Sequence, residues 1–145
     1  MDTTTAIQKV LIIKTVFTSV GKVEKFDSDL IVVTYNDNVS INLVEAIEID
    51  MICFDLSNQK NTFLITDVRN IHSNMSNEAQ NFFSKKGKLL PYIKGLVILL
   101  NNLPIRLIAR FYIQFHKPIY PTKIYATKEE AFKWFKSIDK QQIER

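Results

Sequence analysis

Residues 62–100 read TFLITDVRNIHSNMSNEAQNFFSKKGKLLPYIKGLVILL, and this stretch decides the fold. Thr62–Asp67 is a short apolar run of strand length, as expected for a strand buried on both faces. A polar segment follows from Asp67 to Ser76. Met75, Ala79, Phe82 and Phe83 then form the apolar stripe of a helix. Lys85-Lys86-Gly87-Lys88 ends that helix, with cations in the last turn and a glycine at the stop. Leu96–Leu100 is a second continuous apolar run. Strand, helix and strand in succession imply two parallel strands joined by a right-handed crossover.

The same alternation extends in both directions. Upstream, Val10–Phe17 and Leu30–Tyr35 are rich in β-branched residues and read as strands. Gly21–Phe26 either lengthens the first or stands as one of its own. Asp27-Ser28-Asp29 and Asn36-Asp37-Asn38 supply turn chemistry. A helix is expected over Ser40–Leu56, with Val44, Ile47 and Met51 on its apolar face and Leu43 and Phe54 alongside. Ser57–Asn61 is a loop.

Downstream, Asn102 caps a third helix with Pro104 in its first turn. Leu103, Leu107, Phe111 and Phe115 lie near one face, widened by Ile108 and Tyr112. Pro118 and Pro121 end it. Lys123–Ala126 is a short strand. Thr127-Lys128-Glu129-Glu130 is a capping box, and Ala131, Trp134, Phe135 and Ile138 repeat at helical spacing behind it. The order is β-β-α-β-α-β-α-β-α. The expected architecture is a mixed, mainly parallel sheet of four to six strands with helices packed on it.

Composition fits one globular domain over residues 1–145, at 46% hydrophobic and 23% charged. A chain of this length buries roughly 70% of its unfolded surface, enough to fold without a disulfide or metal. The single cysteine, Cys53, sits in an apolar run and reads as a small buried residue. The start, MDTTTAIQK, lacks a basic stretch followed by an apolar one. The most apolar segment, around Gly95–Leu100, is interrupted by Lys94, Asn101, Asn102, Pro104 and Arg106, whereas a span needs ~20 apolar residues. A cytoplasmic protein, not embedded in a membrane, is expected.

Charge is uneven. Residues 1–72 carry six basic and ten acidic side chains, and residues 73–145 carry thirteen and five. A nucleic-acid groove would interleave those cations with exposed aromatics. Phe82, Phe83, Trp134 and Phe135 fall at core spacing instead, so no nucleic-acid partner is expected.

This pattern resembles the STAS and SpoIIAA-like proteins. The matching pieces are the strand ending Leu64-Ile65-Thr66-Asp67, the helix starting near Ser76-Asn77-Glu78-Ala79 and the strand Gly95–Leu100. The helix carrying Arg106, Ala109 and Phe111 continues it, followed by Pro118 and the closing Thr127–Phe135 segment. The resemblance implies a bacterial regulatory or protein-interaction module. In STAS domains that regulate sigma factors, the loop after the central strand holds a phosphorylatable serine in an Asp-Ser-Ser-Gly sequence. Ile71-His72-Ser73-Asn74-Met75-Ser76 keeps serines there and lacks the aspartate and the glycine. The candidate interaction or phosphorylation loop is therefore Asp67, Arg69, His72, Ser73, Asn74 and Ser76. A phosphate at Ser73 or Ser76 would face free N–H groups and the positive end of a helix. Either serine, or Asn74, serves equally as a plain helix cap.

SpoIIAA-like proteins also resemble the CRAL-TRIO lipid-transfer fold, which implies a small apolar ligand near Phe111, Tyr112 and Phe115. Arg106 and Arg110, one helical turn apart, are candidate anion contacts. A protein partner is expected, and so is a homodimer through an exposed sheet edge. Nothing suggests catalysis. The three glycines are isolated, and His72, His116 and Cys53 have no metal-ligand spacing. Asp67, His72 and Ser73 crowd one short loop, which does not make a triad. No metal and no cofactor is expected.

Overall fold

The computed structural model describes residues 11–69, 74–116 and 118–144. The side chains of residues 74, 108, 111, 112, 114–116 and 140–144 are outside that description. Among the described residues eight strands and four helices follow in order, with a 3-10 turn at Leu90–Tyr92. They are β1 (Ile12–Thr18), β2 (Gly21–Phe26), β3 (Leu30–Tyr35), β4 (Ser40–Ile41), α1 (Leu43–Ser57), β5 (Thr62–Asp67), β6 (Asn74–Met75), α2 (Asn77–Lys85), β7 (Ile93–Leu99), α3 (Leu103–His116), β8 (Thr122–Tyr125) and α4 (Lys128–Glu144).

Six strands form one sheet in the order β1-β2-β3-β5-β7-β8. The first three are an antiparallel meander. From β3 onward every pairing is parallel. The sheet is therefore mixed and mainly parallel with helices packed on it, as the sequence predicts. Gly21–Phe26 forms a strand of its own. Ser40–Ile41 belongs not to a helix but to a small parallel ribbon, β4 with β6.

Alternation along the central strands divides the core in two. Leu30, Val32, Phe63, Ile65, Val97 and Leu99 face α4 and pack on Ala131 and Phe135. Phe63 stacks on Phe135 at 4.2 Å between centroids. Val23, Ile31, Val33 and Tyr35 face the other way, onto Ala46, Ile49 and Cys53 of α1 and Ala79 of α2. Strands covered on both faces need apolar residues at consecutive positions, which is why they read as continuous apolar runs.

Two helical faces differ from expectation. In α1 the buried residues are Ala46, Ile49, Asp50, Cys53 and Ser57. Val44 and Met51, expected inside, are 72% and 51% exposed, and Ile47 is also exposed. Apolar residues surround this helix, so periodicity does not choose a face. Small residues lie against the sheet, and Asp50 fixes the rotation. Its carboxylate accepts the Lys88 N–H at 2.8 Å and the Leu89 N–H at 3.1 Å. In α3, Leu103 and Leu107 are exposed rather than buried. Among the described residues that helix packs on β8.

Candidate functional site

The carboxyl ends of β5 and β7 meet the start of α4, and here Asp67 and Arg69 are locked together. Asp67 Oδ1 accepts the Arg69 backbone N–H at 3.1 Å and its Nε–H at 3.0 Å. Oδ2 accepts from Nη2 at 2.9 Å. Arg69 Nη1 reaches across to donate to the Ala126 carbonyl at 3.3 Å, just before the α4 cap. Burial pushes the Asp67 carboxyl up. The hydrogen bonds and charge of Arg69, with the charge of Lys128, outweigh burial and hold it below its ordinary value. Arg69 is raised, chiefly by its hydrogen bond to Asp67.

His72 and Ser73 lie outside the described residues, and Asn74 is described in its backbone alone, as the start of β6. Ser76 is the N-cap of α2: its Oγ accepts the Ala79 N–H at 3.1 Å. The Asp67–Arg69 pair and Ser76 therefore bracket the polar loop. Arg106 and Arg110 stand apart from it on α3. Arg110 is exposed, and Arg106 Nε is buried without a hydrogen-bond partner among the described residues.

Behind the loop, between the sheet and helices α1 and α2, lies a cavity of about 260 Å³. Leu64 and Thr66 of β5, and Leu96 and Ile98 of β7, alternate with the residues that face α4 and form its floor. Ile49, Asp50 and Cys53 of α1, Phe83 of α2 and Tyr120 close its sides. Val68 and Met75, one on each side of the polar loop, also line it. The wall is overwhelmingly apolar. Few polar groups line it. Asp50 is held by the Lys88 and Leu89 amides, and the fully buried Cys53 thiol is pushed up by burial and by the nearby Asp50 charge. Tyr35 and Tyr120 are raised by burial as well. A mainly apolar molecule fits this wall, since polar groups facing most of it would lose their hydration without finding partners.

A second cavity, about 410 Å³, lies on the α4 side among Asp27, Asp29, Phe63, Phe135 and Asp139. The protein's own ammonium occupies its polar centre. Lys94 Nζ sits 4.5 Å above the Phe63 ring and 3.6 Å from both Asp29 and Asp139.

Among the described residues no three histidine, cysteine or acidic side chains converge to hold a metal. No helix there is long and apolar enough to cross a membrane. Phe111, Tyr112 and Phe115, expected at an apolar site, belong to α3, and their side chains are outside the description. The described wall of the first cavity comes from the sheet, α1 and α2. Sequence reading missed it because its residues are ordinary core types. The available signals were polar and slight: Thr66 interrupts an apolar strand, and Asp50 sits among Ile49, Met51, Ile52 and Cys53.

Residues 25–139 match the family described as a domain of unknown function, DUF7793, and the chain belongs to that family. No curated protein matches it. Among solved structures it is similar to an uncharacterized protein of the DUF3478 family with a SpoIIAA-like fold, from Shewanella loihica PV-4. The identity is 11% and the TM-score 0.57, over 86% of this chain and 92% of that one. The fold is thus SpoIIAA-like, as the strand and helix order suggests.

Proposed function

We propose that this chain is a non-catalytic regulatory module of the cytoplasm. It meets a protein partner through the Asp67–Ser76 end of the sheet, and a small apolar molecule in the cavity behind that end sets the loop's state. The observation that carries this reading is the position of Val68 and Met75. Both line the cavity and both flank the loop, so filling the one reshapes the other. The volume is sufficient. It exceeds the ~150 Å³ of an engineered apolar cavity that binds benzene.

The first test is an intact native mass spectrum of protein purified gently from its own host. A noncovalent small-molecule adduct supports the sensor. Titration with octanoate or indole, followed by amide NMR, then examines coupling. Resonances of Val68, Met75 and Ser76 should shift, and Ile98→Trp, which narrows the cavity, should weaken the response at least tenfold. Shifts that avoid both flanks of the loop would sink the coupling.

The Ser76 position favours a related reading, control by phosphorylation. Its hydroxyl sits at the α2 N-terminus, where a phosphate is stabilised by the helix dipole and free amides. An added phosphate traced to Ser73 or Ser76 in the same spectrum supports it. Ser76→Asp should then alter partner affinity without unfolding the protein. Unchanged affinity for a captured partner counts against it.

A further inference from the structure

The two edges of the main sheet are built differently. β8 is four residues long, follows Pro118 and Pro121, and carries Lys123. These are the features with which proteins protect an edge from pairing. β1, the other edge among the described residues, has seven residues, no proline and one charge, Lys14. Its one irregularity, a register shift between Ile12 and Lys14, lies at its first turn of chain and leaves Lys14–Thr18 in regular pairing with β2. Every second residue of such a strand turns its N–H and C=O to the free edge. Its apolar side chains are exposed as well, Ile12 51%, Ile13 63% and Phe17 78%, and so is Leu11 just before it, at 63%.

We propose that β1 pairs antiparallel with β1 of a second copy about a two-fold axis at Thr15, joining two six-stranded sheets into one of twelve. The strand's own sequence selects this occupant. Centred on Thr15, the register sets Ile13 opposite Phe17 of the second copy, twice by symmetry, and Thr15 opposite itself. Aromatic–aliphatic and threonine pairs are favourable cross-strand neighbours. Lys14 falls opposite Val16, so the two ammonium groups are not apposed. A shift of the axis to Lys14 would place like charges face to face. The apolar side chains named above, with the Lys14 stem, offer on the order of 500 Å² per copy. That is above most crystal contacts and below the ~800 Å² of a standard stable interface. The dimer is accordingly weak and concentration-dependent. This interface lies away from the cavity and loop and does not depend on the function proposed above.

Sedimentation velocity of the 145-residue chain from about 10 μM to about 1 mM tests it, a range that brackets a weak dimer. The mass should rise from 16.9 kDa towards twice that value. The double variant Ile13→Lys, Phe17→Lys changes exposed side chains only and should stay monomeric throughout with an unchanged melting temperature. Thr15→Cys should give a covalent dimer under mild oxidation, because paired antiparallel residues lie within disulfide reach and the native Cys53 is buried. A chain that remains monomeric at every concentration overturns the proposal and leaves the edge to a strand from another protein. A dimer that survives the two lysines, or a Thr15→Cys chain that does not cross-link, overturns it equally.

Discussion

Asp67 shows how one residue ties a loop to the frame. Its two oxygens hold three donors of Arg69, which in turn grips the Ala126 carbonyl, so the end of β5 is fastened to the entrance of α4. Arg69 is partly open to solvent, which limits the value of the ion pair. Asp67→Asn should therefore cost about 1–2 kcal/mol at neutral pH, a melting shift of roughly 3–6 °C for a chain of this size. The pH dependence has a definite sign. The folded-state pKa is depressed, so in the window below the unfolded value of ~3.9 the unfolded chain binds more protons. The stabilisation is whole above that window and is lost as pH falls through the folded pKa. Thermal melts between pH 7 and pH 2 should show a shallower acid loss for Asp67→Asn than for the wild type; parallel curves would remove Asp67 from the account. The residue type at 67 is visible in the sequence, but its engagement with Arg69 and Ala126 depends on a contact 57 positions away. Gly87 teaches the same lesson. It reads as a helix stop, yet a Cβ there would lie 2.7 Å from Asp50 Oδ1, so it is the approach of Asp50 that requires a glycine.

Elements were readable from the sequence where one signal dominated. The N-cap expected at the start of α4 forms, with Thr127 Oγ1 accepting the Glu130 N–H at 3.3 Å, while Glu130 Oε1 takes the Thr127 hydroxyl at 3.0 Å rather than the backbone N–H of a full capping box. Ala131 and Phe135 then face the core. α1 also starts with a capping signal, Glu45 Oε1 accepting the Asn42 N–H at 2.7 Å, but nothing in the sequence selects its buried face, because apolar residues surround it and three of its buried positions are Asp50, Cys53 and Ser57. Tertiary contacts chose the face: α2 on one side, the Lys88–Leu89 amides around Asp50, and the sheet beneath small side chains. The reversal is testable. Val44→Lys with Met51→Lys should leave stability within about 0.5 kcal/mol, the range of surface substitutions. Ile49→Ala should cost about 2–4 kcal/mol, the range for a truncated core residue. Urea denaturation distinguishes the two. A large loss from the lysine pair would restore the face expected from periodicity.

At the scale of the whole molecule, the sequence order was enough to define a mixed, mainly parallel sheet, because strand and helix periods alternate from Leu30 to the end. It was not enough to define how evenly the helices grip that sheet, since periodicity gives a helix its apolar residues without giving it a neighbour. α1 and α2 share a core with β2 and β3, and α4 lies on the central strands. Among the described residues α3 touches the edge strand β8, and its Leu103, Ile105 and Leu107 are half exposed. Local opening free energy follows buried apolar contact, so the molecule should open first at α3. Among the described residues its first half is open to solvent at Leu103, Ile105 and Leu107, whereas the backbone hydrogen bonds of β3, β5 and β7 lie in the interior of the sheet. Hydrogen exchange at neutral pH, read by mass spectrometry, should find α3 amides exchanging on the order of 100-fold faster than those of the central strands. Equal protection of α3 and β5 would mean instead that the chain opens only as one cooperative unit, with the edge as firmly held as the centre.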